Sequence, residues 1–252
     1  MTSAERKALW KEEEARAHIH GWDFSHIRGR FEEEHDLPWS YRELVRESLR
    51  DGMDLLDCDT GGGEFLLSLG HPADRTAATE GYPPNVRLCR EVLTPLGVDF
   101  RECADPSAVP FPDERFDIIL NRHGAFDPGE LFRLLRPGGV FLTEQVGEDN
   151  DRDLVEQVLP GIPKPFPHMN LREQREAFEA AGFQILRGEE AYRPILFYDV
   201  GAFVWFARVI EWEFPGFSVD RCFDRLCAMQ ESMDRDGQVR GTIHRYLILA
   251  KK

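Results

Sequence analysis

No stretch of this chain approaches the roughly 20 consecutive apolar residues that a membrane-crossing helix requires, which argues against a membrane partner. The opening Met1-Thr2-Ser3-Ala4-Glu5-Arg6-Lys7 lacks the apolar core of a secretory signal. Basic residues are in deficit, 31 Lys and Arg against 46 Asp and Glu, for a formal net charge of −15. Affinity for nucleic acid is built mainly from Lys and Arg, so this balance argues against a polyanionic partner. The five cysteines show no closely paired spacing, and Cys222 and Cys227 have no histidine near them, so no zinc site is expected. Reduced thiols and a cytoplasmic location are the plain expectation. His18, His20 and His26 sit in a polar, acidic stretch with no framing motif, and no metal is expected there either.

What is present is enough apolar material for a full core: 252 residues, 42% hydrophobic and 11% aromatic, the size of one large domain or a domain with a cap. From Met53 onward, strand and helix patterns alternate. Strands are expected at 53–58, 75–80, 99–102, 116–121, 140–145, 183–186 and 241–250, and helices at 63–69, 84–94, 128–135 and 171–181. Residues 147–169 read as a polar loop. The alternation predicts an α/β fold: a Rossmann-like, mostly parallel seven-stranded sheet with helices on both faces. Ahead of it, residues 1–50 read as an N-terminal helical arm, with helices near 3–18 and 40–50 and no strand pattern. Trp22, Phe24, Phe31, Trp39 and Tyr41 in that arm need burial. They either cap the ligand edge of the sheet or pack the arm on the core. Residues 51–252 form the main domain, interrupted by a late helical insertion at 189–240 that carries an apolar helix at 200–212 and an amphipathic helix at 219–234. An insertion of that length is usually functional.

The most informative run is Met53-Asp54-Leu55-Leu56-Asp57-Cys58-Asp59-Thr60-Gly61-Gly62-Gly63-Glu64-Phe65-Leu66-Leu67, an apolar strand ending in an acid, a glycine turn and a helix start. Glycine allows a sharp turn and a close approach to a ligand. A nicotinamide fingerprint would need G-x-G-x-x-G. Counting from Gly61 and Gly63, the third place is Leu66, so that pattern fails. The run instead resembles the first motif of the class I S-adenosylmethionine-dependent methyltransferases, acid-x-Gly-x-Gly-x-Gly. Asp57 matches the acid, and Gly61 and Gly63 match the second and third glycines. Asp59 stands at the first glycine position, a departure, since Asp enters left-handed backbone less readily than Gly.

Glu80, in Thr79-Glu80-Gly81-Tyr82, ends the second strand about twenty residues after the glycine turn. A carboxylate there can accept both hydroxyls of a ribose diol, and it is similar to the family's second motif. Cys103-Ala104-Asp105, with Val109-Pro110-Phe111 and Phe116-Asp117 after it, looks like the third region. The resemblance implies that Asp105 bonds the adenine amino group beside the Ala104 backbone. Leu131-Phe132-Arg133-Leu134-Leu135-Arg136-Pro137-Gly138-Gly139-Val140-Phe141 is similar to the helix–Leu-x-Pro-Gly-Gly–strand segment that follows. These matches cover roughly residues 50–146 and imply S-adenosylmethionine as cofactor, with S-adenosylhomocysteine as product.

Ligands of open α/β sheets sit beyond the carboxyl ends of the strands, which places Asn121-Arg122-His123 beside the transferred methyl group. His123 is the candidate general base, although it can equally cap the turn, and aligned methyl transfer does not require a base. His168, Tyr198 and Glu211 are weaker candidates for the pocket wall. The arm and the 200–212 helix are expected to pack together over the acceptor, with Tyr41 near the methionine end of the cofactor. The cofactor-binding set is therefore Asp57, Asp59, Gly61, Gly63, Glu80, Gly81, Ala104, Asp105, Asn121 and Tyr41. No Asn-Pro-Pro-aromatic motif follows the fourth strand, which lowers the case for DNA-base or glutamine methylation. A small-molecule acceptor is the leading reading. RNA or protein methylation, or a module that binds the cofactor without turnover, are the alternatives, and the sequence leaves the oligomeric state open.

Overall fold

In a computed structural model, residues 2–18, 23–33 and 36–252 are described. His20 and Trp22, named above, lie outside the described residues. The chain begins with α1 (Ser3–Ala15), β1 (Phe31–Glu33), α2 (Tyr41–Ser48), β2 (Leu55–Cys58), α3 (Glu64–Leu67), β3 (Thr76–Glu80), α4 (Pro83–Val92) and β4 (Asp99–Glu102). It continues with β5 (Phe116–Arg122), α5 (Pro128–Leu134), β6 (Leu135–Val146), α6 (Arg152–Val158), α7 (Leu171–Ala180) and β7 (Gln184–Phe197). It ends with α8 (Val200–Val209), α9 (Val219–Asp236) and β8 (Val239–Lys251).

The strands form a sheet in the order β1-β7-β8-β6-β5-β2-β3-β4. From β6 to β4 every pairing is parallel, with Leu56 opposite Ala77 on one side and Ile119 on the other. β8 lies antiparallel to β6. The Rossmann-like α/β sheet expected from the sequence is present, with eight strands in place of seven. The additional strand is β1, which pairs Phe31 with Phe197 and Glu33 with Ile195. Three residues are too few to carry an alternating pattern, so only the partner strand reveals it. Residues 189–197, expected to open the late insertion, continue β7. Within the expected polar loop, 152–158 form α6, which buries Leu154, Val155 and Val158.

Two compact units divide the chain: Met1–Leu37, Glu148–Pro167 and Tyr192–His244 in one, and Pro38–Gly147, His168–Ala191 and Arg245–Lys252 in the other. The first is built on an aromatic core. Nine of the ten residues of α8 are buried, as its nearly all-apolar sequence requires. Phe24 packs on Trp205 and Phe206 at 5.8 and 6.0 Å between ring centroids, and Phe31 packs on Phe206 at 6.5 Å. Of the arm aromatics, Phe24 and Phe31 therefore pack on α8, whereas Trp39 and Tyr41 belong to the second unit.

The second unit contains the parallel strands. All four residues of β2 are buried, as expected of a central parallel strand covered on both faces. Its helices start at matched caps. Ser40 Oγ accepts the Glu43 N–H at the start of α2, and Asp127 accepts the Glu130 N–H ahead of Pro128 in α5. These caps fix where each helix leaves the sheet edge.

Candidate active site

A cavity of about 440 Å³ lies in the second unit, with Asp59, Gly61, Glu80, Gly81, Ala104 and His123 among its lining residues. That volume falls within the usual range for small-ligand sites, about 300–1,000 Å³. Two of the lining positions follow directly from parallel strands that end side by side. β2 delivers Asp59 and Gly61 one and three residues past its end, and the neighbouring β3 ends on Glu80.

The turn after β2 is left-handed at Asp59 (φ 56°) and at Gly61 (φ 66°). Asp59 thus takes up the backbone conformation that a glycine would adopt at that position. A Cβ on Gly61 would meet nothing within 4 Å, whereas one on Gly63 would stand 2.7 Å from Leu93 Cδ2. Gly61 is therefore open toward the cavity it lines, and Gly63 serves the packing of the turn on the unit's interior.

Glu80 is buried, and its carboxylate gathers backbone donors. Oε2 accepts the Gly61 N–H at 2.8 Å, and Oε1 accepts those of Gly81 and Tyr82 at 2.9 and 2.8 Å. Asn85 Nδ2 adds a longer contact to Oε2 at 3.4 Å. Gly81 is required by closeness, since a Cβ there would fall 2.6 Å from the Cys103 carbonyl oxygen and 2.8 Å from Ala104 Cα. Tyr82 also lines the cavity and is 62% exposed, so its ring is available to a ligand.

Several expected residues stand behind or beside this wall. Asp57 is buried and accepts the Thr60 hydroxyl at 2.7 Å. Burial, against that hydrogen bond and with the charges of Asp59 and Glu80 close by, pushes its carboxyl up to about 7. Asn121 is fully buried and ties the strand ends together, donating to the Cys58 carbonyl at 3.1 Å and accepting from Gln145 Nε2 at 2.5 Å. Tyr41 is buried, with its hydroxyl directed at the carbonyls of Asn121 and Leu142 at 3.2 and 3.3 Å and its ring 5.4 Å from that of Phe65. The Asp105 carboxylate is exposed and closes its own turn, accepting from the backbone and hydroxyl of Ser107 at 2.9 and 2.7 Å. Ala104 and Pro106 on either side of it line the cavity. His168 pairs with Glu173, the Tyr198 hydroxyl donates to Glu32, and Glu211 is exposed; none of the three lines this cavity.

At the exit of β5, Arg122 and His123 complete the wall. His123 holds a left-handed backbone (φ 60°) and donates its N–H to the Glu144 carbonyl at 3.0 Å. The neighbouring protein and the guanidiniums of Arg245 and Arg122 lower the pKa of its imidazole, while its side chain stays 37% exposed with Nε2 3.9 Å from Glu144 Oε1. Little of the ring is protonated at physiological pH. Glu144 collects the neighbouring donors, Arg122 Nε at 3.0 Å and Trp39 Nε1 at 2.7 Å. Sequence reasoning placed Arg122 beside the site but did not single out Tyr82 or Asn85 for this wall. For these two, the one available signal was their position just after the acid that ends β3. Among the described residues no group of three or more His, Cys, Asp or Glu could hold a metal ion, and no helix is long and apolar enough to cross a membrane.

A parallel sheet with a glycine turn after β2 and an acid at the end of β3, both bordering one cavity, is an α/β fold of the methyltransferase type. A family model described as a methyltransferase domain matches residues 56–143 of the chain. The chain is 30% identical over 160 residues to a fatty-acid O-methyltransferase of Mycolicibacterium smegmatis, covering 60% of this chain and 54% of that protein. It is 31% identical over 114 residues to a demethylmenaquinone methyltransferase of Thermus thermophilus, covering 41% and 52%. The chain thus spans about half the length of these curated relatives. In fold alone it is similar to a candidate methyltransferase of Bacillus halodurans C-125, with a TM-score of 0.59 at 17% identity, covering 84% of this chain and 98% of that one.

Proposed function

We propose that this chain transfers a methyl group from S-adenosylmethionine to a small-molecule acceptor. The observation that carries the reading is the convergence of Asp59, Gly61 and Glu80 on one cavity beyond the ends of β2 and β3. These residues suit the cofactor. Gly61 leaves room for close approach, Glu80 can accept a ribose diol, and the exposed Tyr82 ring offers a face to adenine. Ala104 and Pro106 supply the edge of the adenine pocket. In this assignment Asp105 acts through the shape of its turn, because its carboxylate is engaged with Ser107.

When bound, the cofactor supplies an electrophilic methyl group on a sulfonium. The chain's own part is to orient and enclose. Asn121 and Gln145 hold the β5 exit in place from behind. His123 presents its imidazole to the acceptor side, and its pKa, lowered by the neighbouring protein and by Arg245 and Arg122, makes it a weak base toward a hydroxyl. Alignment of the nucleophile therefore carries the rate, and an acceptor that arrives with a free lone pair or already ionised suits the site best. The names of the relatives, one for a fatty acid and one for a quinone, support a small-molecule acceptor. Five free cysteines are compatible with a reducing, cytoplasmic setting.

The test is calorimetric titration with S-adenosylmethionine and S-adenosylhomocysteine, followed by a methyl-transfer screen of small acids, phenols, amines and total RNA. A folded protein that binds neither ligand would overturn the reading, and transfer to RNA alone would replace the small-molecule acceptor.

A further inference from the structure

We propose that Asp59 is a counter-ion through which the cavity discriminates the sulfonium cofactor from its neutral thioether product. The inference rests on the reading of this cavity as the S-adenosylmethionine site. It adds a charged residue where the family motif has a glycine.

Asp59 occupies a left-handed conformation, which disfavours any side chain relative to glycine. A residue kept there despite that cost has a role that glycine would not fill. Its side chain is held against Gly124, where a Cβ would lie 2.5 Å from both Asp59 Cβ and Asp59 Oδ2. Only glycine at 124 leaves the carboxylate its place. The Ala125 backbone N–H donates to it from the same loop.

The surroundings of this carboxylate lack positive charge. Burial and the charge of Glu80 act on Asp59 to raise its pKa to about 6, and no cation is among the groups that shift it. Asp57, also acidic, lies beneath the turn. Cys58, Cys103 and Tyr82 line the same cavity and bring no positive charge. The basic groups on the wall are otherwise engaged. Arg122 is paired with Glu144 at 3.0 Å, and His123 is largely neutral. A cationic ligand would therefore be the partner of opposite charge for Asp59.

The cofactor has two cationic groups, and the sulfonium is the nearer to the ribose. Glu80, assigned to the ribose, lies close enough to shift Asp59. The sulfonium is bonded to the ribose C5′, and the ammonium lies three carbons further out. In the transfer the acceptor's electron pair forms the new bond to the methyl carbon, the C–S pair stays on sulfur, and any acceptor proton passes to solvent. The sulfonium becomes a neutral thioether, so the charge facing Asp59 vanishes with each turnover and the product is held less firmly than the cofactor.

The experiment is titration of wild type, Asp59→Asn and Asp59→Gly with S-adenosylmethionine and S-adenosylhomocysteine at pH 7.5, with thermal melts to confirm folding. Asn tolerates left-handed backbone, and Gly restores the family residue, so one variant controls for the other. Wild type should prefer the sulfonium. Both variants should lose at least about tenfold in its affinity while binding the thioether within about twofold of wild type. Equal losses for both ligands, or no loss for either, would overturn the inference and leave the cofactor assignment standing. Failure of folded wild type to bind either ligand would remove that assignment, and the inference with it.

Discussion

The Gly61 N–H donates to Glu80 Oε2 at 2.8 Å, so the turn after β2 and the end of β3 are joined by one charge-assisted hydrogen bond. The same carboxylate accepts the N–H groups of the next two residues. Glu80 consequently organises the backbone of the site.

Glu80→Ala should weaken S-adenosylmethionine binding by ~1–3 kcal/mol. It should also lower the melting temperature without ligand, because three backbone donors lose their acceptor. Glu80→Gln, which keeps an acceptor oxygen, should lose less on both counts. Calorimetry and thermal melts read the two effects separately, and unchanged affinity in a folded Ala variant would remove Glu80 from the cofactor site.

Gly61 and Gly63 should respond differently to substitution. Gly61→Val adds a branched side chain that meets no protein atom near its Cβ but strains a left-handed backbone at φ 66°, so in the folded protein it enters the cavity and should reduce cofactor affinity more than Glu80→Ala. Gly63→Ala drives a Cβ against Leu93 and should destabilise the fold by about 1–3 kcal/mol. The folded fraction of that variant should bind close to normally. A Gly61→Val protein with wild-type affinity would show that the cofactor does not pass this turn.

His123→Gln should leave the shape of the pH–rate profile unchanged between about pH 5 and 9 and reduce kcat/KM by less than about tenfold. The reason is the pKa of the imidazole, lowered by the neighbouring protein and by Arg245 and Arg122, which leaves little of the ring protonated over that range. An inflection near pH 6.5 that disappears in the variant would restore the imidazole as a general base.

Asp57 should make stability depend on pH in an unusual direction. Its folded carboxyl keeps its proton up to about pH 7, while an unfolded Asp releases it near pH 3.9. Between those values the native state binds more protons, so stability falls as pH rises through the window. The drop in melting temperature from pH 5 to pH 8 should therefore be smaller in Asp57→Asn than in wild type. Equal drops would show that Asp57 ionises normally in the folded protein.

The parallel half of the sheet was readable because each of its strands sits beside a strong local signal. Leu55 and Leu56 lead into the acid and glycine turn, and Arg136-Pro137-Gly138-Gly139 separates α5 from the apolar run of β6. Elements that depend on distant partners were not. β1 contains one apolar residue, Phe31, and becomes a strand only by pairing with Ile195, Leu196 and Phe197. α6 hides Leu154, Val155 and Val158 inside an acid-rich run. At the site, residue identities could be placed but not where their side chains point. The direction of the Asp105 carboxylate is decided by Ser107 two residues later, and the burial of Tyr41 by the carbonyls of β5 and β6.

Four donors already surround the Glu80 carboxylate, and an ionised carboxylate has about four acceptor positions. A diol arriving there is therefore a competitor. It must evict a resident group before it gains a bond, and the weakest resident is the Asn85 amide at 3.4 Å. Asn85 acts as a gatekeeper in the chemical sense, holding the seat that a hydroxyl would take. Affinity at this end of the cavity then measures a contest between an amide of the chain and a hydroxyl of the ligand, and shortening the side chain at 85 tilts that contest toward the ligand.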